Sequence, residues 1–319
     1  MINSNILVPN IDDLTYHEWL EVRRSGLGGS DVAAALGMSP WKSTLELWEE
    51  KALGKKQPWQ ESESMAWGKL LEPVIRDEFA RRTGMKVTPC RSMLQSPQYP
   101  WMLASLDGII DDPQRGIGVL EIKTTSAFRQ DDWSEDRCPD AYALQVAHYL
   151  AVTGLSYAVV VVLVGGNKLQ WLTVNRDEEL ISSLVGLEQH FWQQVLTQTP
   201  PPVDGSSACA DLLARRYPSS SNSSSLILPA AADEWINDYI QAKADVDAAE
   251  ERKRLAENRL KGVMGEHQKA ISPEGRQVSW KSVTSNRIDT AQLKKEEPAL
   301  YEKFTTTSTT RRFSISEAK

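Results

Sequence analysis

The sequence predicts an α/β fold, and three observations carry that prediction. A β-branched run, Tyr157 to Val164, is followed by Gly165-Gly166-Asn167 and a second run, Lys168 to Val174, a strong hairpin signal. Trp101 to Ile110 and Ile117 to Lys123 read as two more strands, on either side of the turn-rich Asp111-Asp112-Pro113-Gln114-Arg115-Gly116. Stretches of helical periodicity precede, separate and follow these strands, which is the interleaving of an α/β domain.

The elements follow in order. Residues 1–14 are a polar lead-in. Thr15 to Arg24 reads as a helix with Trp19 and Val22 on one face, and the glycine turn Gly26 to Gly29 leads to Ser30 and a small-residue helix, Asp31 to Leu36. Thr44 to Leu53 forms a helix ended by Gly54, and Met65 to Arg82 a longer one closed by Thr83-Gly84. After the first strand pair, Asp140 to Val152 is helical and stops at Gly154. Asp177 to Leu196 is a helix with Leu180, Leu184, Leu187 and Phe191 on one face.

The α/β domain is therefore expected to span residues 1–199. Pro200-Pro201-Pro202 and the serine cluster Ser219 to Ser225 mark a linker region, 200–229. Residues 230–319 read as a helical arm plus a small β element. One long helix runs from Ala230 to about His267, with Tyr239, Val246, Ala249, Ala256, Leu260 and Val263 at roughly heptad spacing. Gln277 to Val283 looks like a strand, with Phe304 to Ile315 as its expected partner.

Composition narrows the chemistry. No apolar run approaches the ~20 residues of a membrane span, and the first residues lack the basic start and apolar core of a signal peptide. The expectation is a cytoplasmic protein. Cys90, Cys138 and Cys209 are far apart, and the four histidines are scattered, so neither a disulfide framework nor a zinc site is expected. Any metal should be a hard ion held by carboxylates. The net charge of −7 excludes a uniformly basic surface but not a local cluster of Arg and Lys facing phosphate.

The stretch that bears on function is Ser105-Leu106-Asp107-Gly108 followed by Glu121-Ile122-Lys123. Residues two apart on a strand face the same side, so Glu121 and Lys123 project together while Ile122 points into the core. If the two strands pair across the turn, Asp107 comes beside Glu121. Two carboxylates on a rigid sheet with a lysine alongside suit magnesium, which lowers the pKa of its water and polarises a phosphodiester. Lys123 would orient or deprotonate that water, or offset charge on the phosphate. Taken alone, the pattern also fits a solvated hairpin face.

In context, the arrangement resembles the PD-(D/E)xK nuclease core and, within it, the phage lambda exonuclease and YqaJ-type viral recombinase family. The matching stretches run in the family's order from Arg23-Arg24-Ser25-Gly26-Leu27-Gly28-Gly29-Ser30-Asp31 through Trp67-Gly68-Lys69-Leu70-Leu71-Glu72-Pro73, Ser105-Leu106-Asp107-Gly108 and Glu121-Ile122-Lys123 to Gln145-Val146-Ala147-His148-Tyr149-Leu150. They cover roughly residues 15–195. Leu106 stands where the namesake motif has proline, and the Asp107-to-Glu121 gap is longer than in compact members; neither departure touches a ligand.

The resemblance implies a mixed central sheet flanked by helices and a Mg2+-dependent 5′→3′ double-strand DNA exonuclease, with Mn2+ as a substitute. It further implies that Glu72 and the Ile122 carbonyl join Asp107 and Glu121 as metal ligands, with Gln145 near the scissile phosphate. Arg23, Ser30 and Ser105 match positions that grip a 5′-phosphate, and Arg24 is an alternative to Arg23. A homotrimer around DNA, a single-strand annealing protein and a single-strand-binding protein are the implied partners. An endonuclease and a non-catalytic DNA-binding scaffold are the rival readings.

The many tryptophans, Trp41, Trp48, Trp59, Trp67, Trp101, Trp133, Trp171, Trp192, Trp235 and Trp280, are expected to be mostly core or interface. Trp41, in the loop Ser39-Pro40-Trp41-Lys42, is the one expected to contact DNA.

Overall fold

A computed structural model describes residues 2–55, 62–134, 136–220 and 225–316. Trp59 and residues 221–224 of the serine cluster lie outside the described residues. The chain divides into two compact units, Met1–Arg216 and Tyr217–Lys319.

The first unit begins with β1 (Asn5–Val8), α1 (Tyr16–Arg24), β2 (Leu27–Gly28), α2 (Gly29–Ala35) and α3 (Thr44–Leu53). The long α4 (Glu63–Thr83) follows, then β3 (Lys86–Thr88), β4 (Met93–Gln95), β5 (Met102–Ser105), β6 (Gly108–Asp112) and β7 (Gly116–Thr125). It closes with α5 (Asp140–Thr153), β8 (Tyr157–Val164), β9 (Lys168–Asn175), α6 (Glu178–Leu196) and α7 (Ser207–Arg216). Local chemistry sets the ends. Ser43, Ser62 and Asp177 accept hydrogen bonds from the first-turn amides of α3, α4 and α6, satisfying N–H groups that a helix leaves unpaired. Gly54, Gly84 and Gly154 close α3, α4 and α5 in the left-handed conformation.

Two sheets result. One has the order β1-β4-β5-β2, with β2 parallel to β5; the other has the order β3-β6-β7-β8-β9, with β7 and β8 parallel and the remaining pairs antiparallel. The α5 crossover makes the parallel pair possible. Along β8, Ala158, Val160, Val162 and Val164 face a core shared with Val146 and Leu150 of α5 and Ile181 and Val185 of α6. Tyr157, Val159 and Val161 face a second core with Ile75 and Phe79 of α4. A strand buried on both faces explains why this segment reads as a continuous apolar run rather than an alternation.

The α/β class and a mixed sheet flanked by helices are as expected, but several details are corrected. Trp101 to Ile110 is not one strand: the chain leaves the first sheet after Ser105 and enters the second at Gly108, so Leu106-Asp107 is the hand-over between sheets. On α6, Leu184 and Phe191 of the expected face are buried but Leu180 and Leu187 are exposed; the buried stripe is Ile181, Leu184, Val185, Glu188, Phe191, Trp192 and Val195. The prolines do not open a simple linker. Helix α7 buries Cys209 and Leu212, and Arg215 and Arg216 pair with Glu46 and Glu49 of α3, which extends the first unit to Arg216. Among the tryptophans, Trp48, Trp133 and Trp192 are buried and Trp101 packs against the core, whereas Trp41, Trp67, Trp171, Trp235 and Trp280 are exposed.

The second unit holds α8 (Ala232–Met264), β10 (Lys269–Ile271), β11 (Gln277–Ser279), α9 (Thr290–Glu296) and α10 (Pro298–Phe304). The partner of β11 is β10, in an antiparallel hairpin turned at Gly275, and not residues 304–315. The adjacent strand wins because closing a short hairpin costs less chain entropy than recruiting a distant one. The heptad-spaced residues of α8 stay exposed, Val246 and Val263 among them. No helix among the described residues is long and apolar enough to cross a membrane.

One glycine fixes the middle of the second sheet. Gly118 of β7 lies against Tyr157 of β8, and a Cβ there would come within 2.3 Å of the Tyr157 ring. The Tyr157 hydroxyl donates to the Gly116 carbonyl at 3.0 Å, so the ring cannot swing away without losing a bond. Gly118→Ala is expected to destabilise the first unit by about 2 kcal/mol, read as a lower urea midpoint with an unchanged slope.

Candidate active site

The pairing of β6 with β7 runs from Asp112↔Gly116 to Gly108↔Leu120, so one step further Asp107 stands beside Glu121. Asp107 Oδ2 accepts the Ile122 N–H at 2.7 Å, which ties the hand-over segment to β7. The alternation along β7 sends Leu120 and Ile122 into the α4 core and Val119 towards α5, with Glu121 and Lys123 on the Val119 side. Glu121 is only 2% exposed. Its Oε1 receives Lys123 Nζ at 2.5 Å and Gln145 Nε2 at 2.7 Å. Its Oε2 is buried without a hydrogen-bond partner among the described residues. Lys123 Nζ also lies 4.9 Å from the centre of the Tyr142 ring.

Glu72 approaches from α4. Its Oε1 pairs with Arg76 Nη1 at 3.1 Å, and the same nitrogen donates to the Asp107 carbonyl at 3.1 Å. The carboxylates feel one another. Burial and then Glu121 push the Asp107 carboxyl up to about 7, and burial and then Asp107 raise Glu72. Burial also raises Glu121, against the pull of Lys123. For Lys123 the burial penalty is outweighed by Glu121 and Asp107, so its pKa is raised and it remains an ammonium ion.

This donor set fits a hard divalent cation. An unpartnered buried carboxylate oxygen costs free energy unless something positive reaches it, and Glu121 Oε2 is such an atom. Among the described residues no three His, Cys, Asp or Glu side chains converge as a ready-made ligand set. Asp107 and Glu121 stand side by side, and Glu72 is paired with Arg76. Two or three protein ligands suffice for magnesium, which keeps several of its waters.

A second group of expected residues gathers at the glycine turn. Arg23 Nη2 donates to Ser30 Oγ at 3.1 Å and to Asp31 Oδ2 at 2.8 Å. Asp31 also accepts from the Gly28 amide at 3.1 Å and pairs with buried Lys51 at 2.8 Å. Burial opposes the Asp31 carboxylate, but Arg23 and Lys51 more than reverse this and hold it ionised. Lys51 in turn donates to the carbonyls of Arg23 and Gly26, pinning the turn. The N-cap of α2 is Gly28 and not Ser30, which sits inside the first turn. Arg23, Gly28, Gly29, Leu103, Ser105 and Tyr149 line a small cleft. Arg24 points elsewhere, to the Lys51 carbonyl and Glu21.

Trp41 is 60% exposed and stacks on Tyr142 at 6.3 Å, which stacks on Trp133 at 5.5 Å. An exposed ring is thereby joined to the ring that faces Lys123. Lys51, Tyr142 and Tyr149 were missed in the sequence. Tyr149 had a signal, since it lies one helical turn after Gln145; Lys51 and Tyr142 had none. The pair His148–Glu188 was missed as well. It is wholly buried, with His148 Nδ1 at 2.9 Å from Glu188 Oε2 and Nε2 at 2.9 Å from the Leu103 carbonyl, joining α5, α6 and β5.

Residues 18–156 match the profile of the YqaJ-like viral recombinase domain. The chain is 37% identical over 317 residues to the uncharacterized protein YqaJ of Bacillus subtilis (strain 168), covering 98% of each. Among solved structures it is similar to an alkaline exonuclease (LHK-Exo) from Laribacter hongkongensis. That likeness has a TM-score of 0.43 and 20% identity over 63% of this chain and 97% of that one. It is also similar to a phage related exonuclease from Haemophilus somnus 129PT, with a TM-score of 0.40 and 12% identity over 54% of this chain and 96% of that one. With its Asp107, Glu121 and Lys123 assembled on a mixed sheet and a relative matched almost end to end, the chain belongs to the YqaJ-type viral recombinase family.

Proposed function

We propose that this protein is a Mg2+-dependent deoxyribonuclease that digests duplex DNA from a 5′ end and leaves a 3′ single-stranded overhang for annealing-type recombination. The observation that carries the reading is the buried, unpartnered Glu121 Oε2 beside Asp107 and Lys123. Magnesium bound by Asp107 and Glu121, with Glu72 and the Ile122 carbonyl as further ligands, would polarise the phosphodiester and supply an activated water.

The chain's own groups divide the remaining work. Lys123, kept protonated by the two carboxylates, offsets negative charge on the phosphate and orients the attacking water rather than deprotonating it. Gln145 holds Glu121 in place through a single amide hydrogen. Arg23, Ser30 and Ser105 receive a terminal 5′-phosphate, with the amides at the start of α2 alongside. An end-directed enzyme needs such a pocket, whereas an endonuclease does not. Trp41 offers a flat face to a base near the site. Mn2+ is expected to substitute for Mg2+. A single-strand annealing protein, a single-strand-binding protein and a trimeric assembly around DNA complete the reading.

The test uses linear duplex labelled at one 5′ end, with or without a 5′-phosphate, in magnesium or EDTA. Release of mononucleotides that needs magnesium, is faster with the phosphate and falls at least ~100-fold in Glu121→Ala and Lys123→Ala supports the reading. Internal fragments, or cutting of closed circles, make it an endonuclease. DNA binding without cleavage makes it a scaffold.

A pH prediction follows from Asp107. Its folded pKa, about 7, lies above the 3.8 of a free aspartate, so the folded chain holds this proton more tightly than the unfolded one. Stability without metal is therefore expected to fall as pH rises from about 4 through 7. Asp107→Asn is expected to reduce that slope in a series of thermal melts, the raised Glu72 and Glu121 carboxyls supplying the rest. Magnesium competes with the same proton, so its stabilising shift in Tm is expected to be larger at about pH 8 than at about pH 6.

A further inference from the structure

Gln145 and Tyr149 stand one turn apart on α5 and connect the two groups of residues. Gln145 Nε2 donates to Glu121 Oε1 at 2.7 Å and to Tyr149 Oη at 3.0 Å. The direction of both bonds is set by chemistry. Nε2 is the atom that faces both oxygens, and an amide NH2 only donates, so Tyr149 Oη accepts. Tyr149 consequently spends an oxygen lone pair on Gln145 and keeps its own hydrogen. Among the described residues that hydrogen has no acceptor, and Tyr149 lines the cleft that also holds Arg23 and Ser105.

The cleft is built around the ring. A Cβ on Gly29 would fall 2.5 Å from a Tyr149 ring carbon and 3.0 Å from Gln145 Cγ, and one on Gly28 would fall 3.1 Å from Arg23 Nη2. Two successive residues without side chains let the start of α2 lie between the guanidinium and the phenol. Burial, followed by Glu121 and Asp107, raises Tyr149 well above an ordinary phenol, so it stays a donor at any working pH.

We infer that Tyr149 donates its phenol hydrogen to a terminal phosphate monoester bound beside Arg23 and Ser105, and so helps to choose phosphorylated DNA ends. The inference rests on the end-phosphate reading above. It adds a neutral donor to the arginine, one tied through Gln145 to the carboxylate of the reacting site.

The experiment compares cleavage of 5′-phosphorylated and 5′-hydroxyl duplexes under single-turnover conditions by the full-length wild type, Tyr149→Phe and Arg23→Ala. Binding of the same two duplexes is measured in EDTA. Phenylalanine keeps the ring that fills the space against Gly29. The expected result is a preference for phosphate in the wild type that drops about tenfold or more in Tyr149→Phe, in rate and in binding. An unchanged preference in Tyr149→Phe, including an equal loss on both substrates, overturns the inference; if Arg23→Ala meanwhile loses the preference, the phosphate pocket itself stands. No preference in the wild type overturns the pocket reading, and this inference with it.

Discussion

The first unit is organised around the difficulty of keeping a charged carboxylate out of water. Glu121 sits on a central strand with 2% of its surface exposed, where an ionised group is tolerated only if other groups neutralise and hydrogen-bond it. Lys123 supplies the charge and Gln145 a neutral donor, both to one oxygen. The other oxygen is left without a partner, and Asp107 and Glu72 add negative charge nearby rather than relieving it. Such an arrangement is poor for stability and good for attracting a cation. The strand, the helix carrying Gln145 and the hand-over segment carrying Asp107 can all be understood as holding this imbalance in place.

Around the glycine turn the same logic has the opposite sign. Arg23, Lys51 and Asp31 form a cluster with one more positive than negative group, and its cations are tied to carbonyls and to Asp31 instead of being left loose. Under the nuclease reading, a preset excess of positive charge would receive an anion without first having to order long side chains. The anion-attracting and cation-attracting centres are separated by only two side chains, Tyr149 and Gln145.

Much of this was legible in the sequence. The alternation in Glu121-Ile122-Lys123 gave the facing of both charged groups, and the turn after Asp112 gave the pairing that brings Asp107 alongside. Helix ends at Gly54, Gly84 and Gly154 followed from the need for a left-handed residue. The failures also have physical causes. Strands of three or four residues, such as β3 and β4, carry too few side chains to show a period. The break at Leu106-Asp107 was hidden because both halves are apolar strands, and only pairing partners distinguish them. On α6 the buried stripe includes Glu188, which a hydrophobic period discards, because His148 satisfies it from another helix. Helix α7 was concealed by flanking proline and serine, and it is docked in part by ion pairs to α3 that no local pattern announces.

The passage of the chain from one sheet to the other at Leu106-Asp107 has a consequence for how the molecule comes into being. Ser105 ends a strand whose parallel neighbour, Leu27–Gly28, lies some seventy-five positions earlier, while Asp107 is fixed by a strand that itself pairs with β8, nearly forty positions later. Contacts so far apart in sequence form late, because the loops they close are long. A nascent or half-folded chain that has completed either sheet alone lacks one of the two centres. Under the nuclease reading, a chain with only the second sheet would hold the carboxylates without the pocket that chooses ends, so selectivity for ends arrives only with the whole unit.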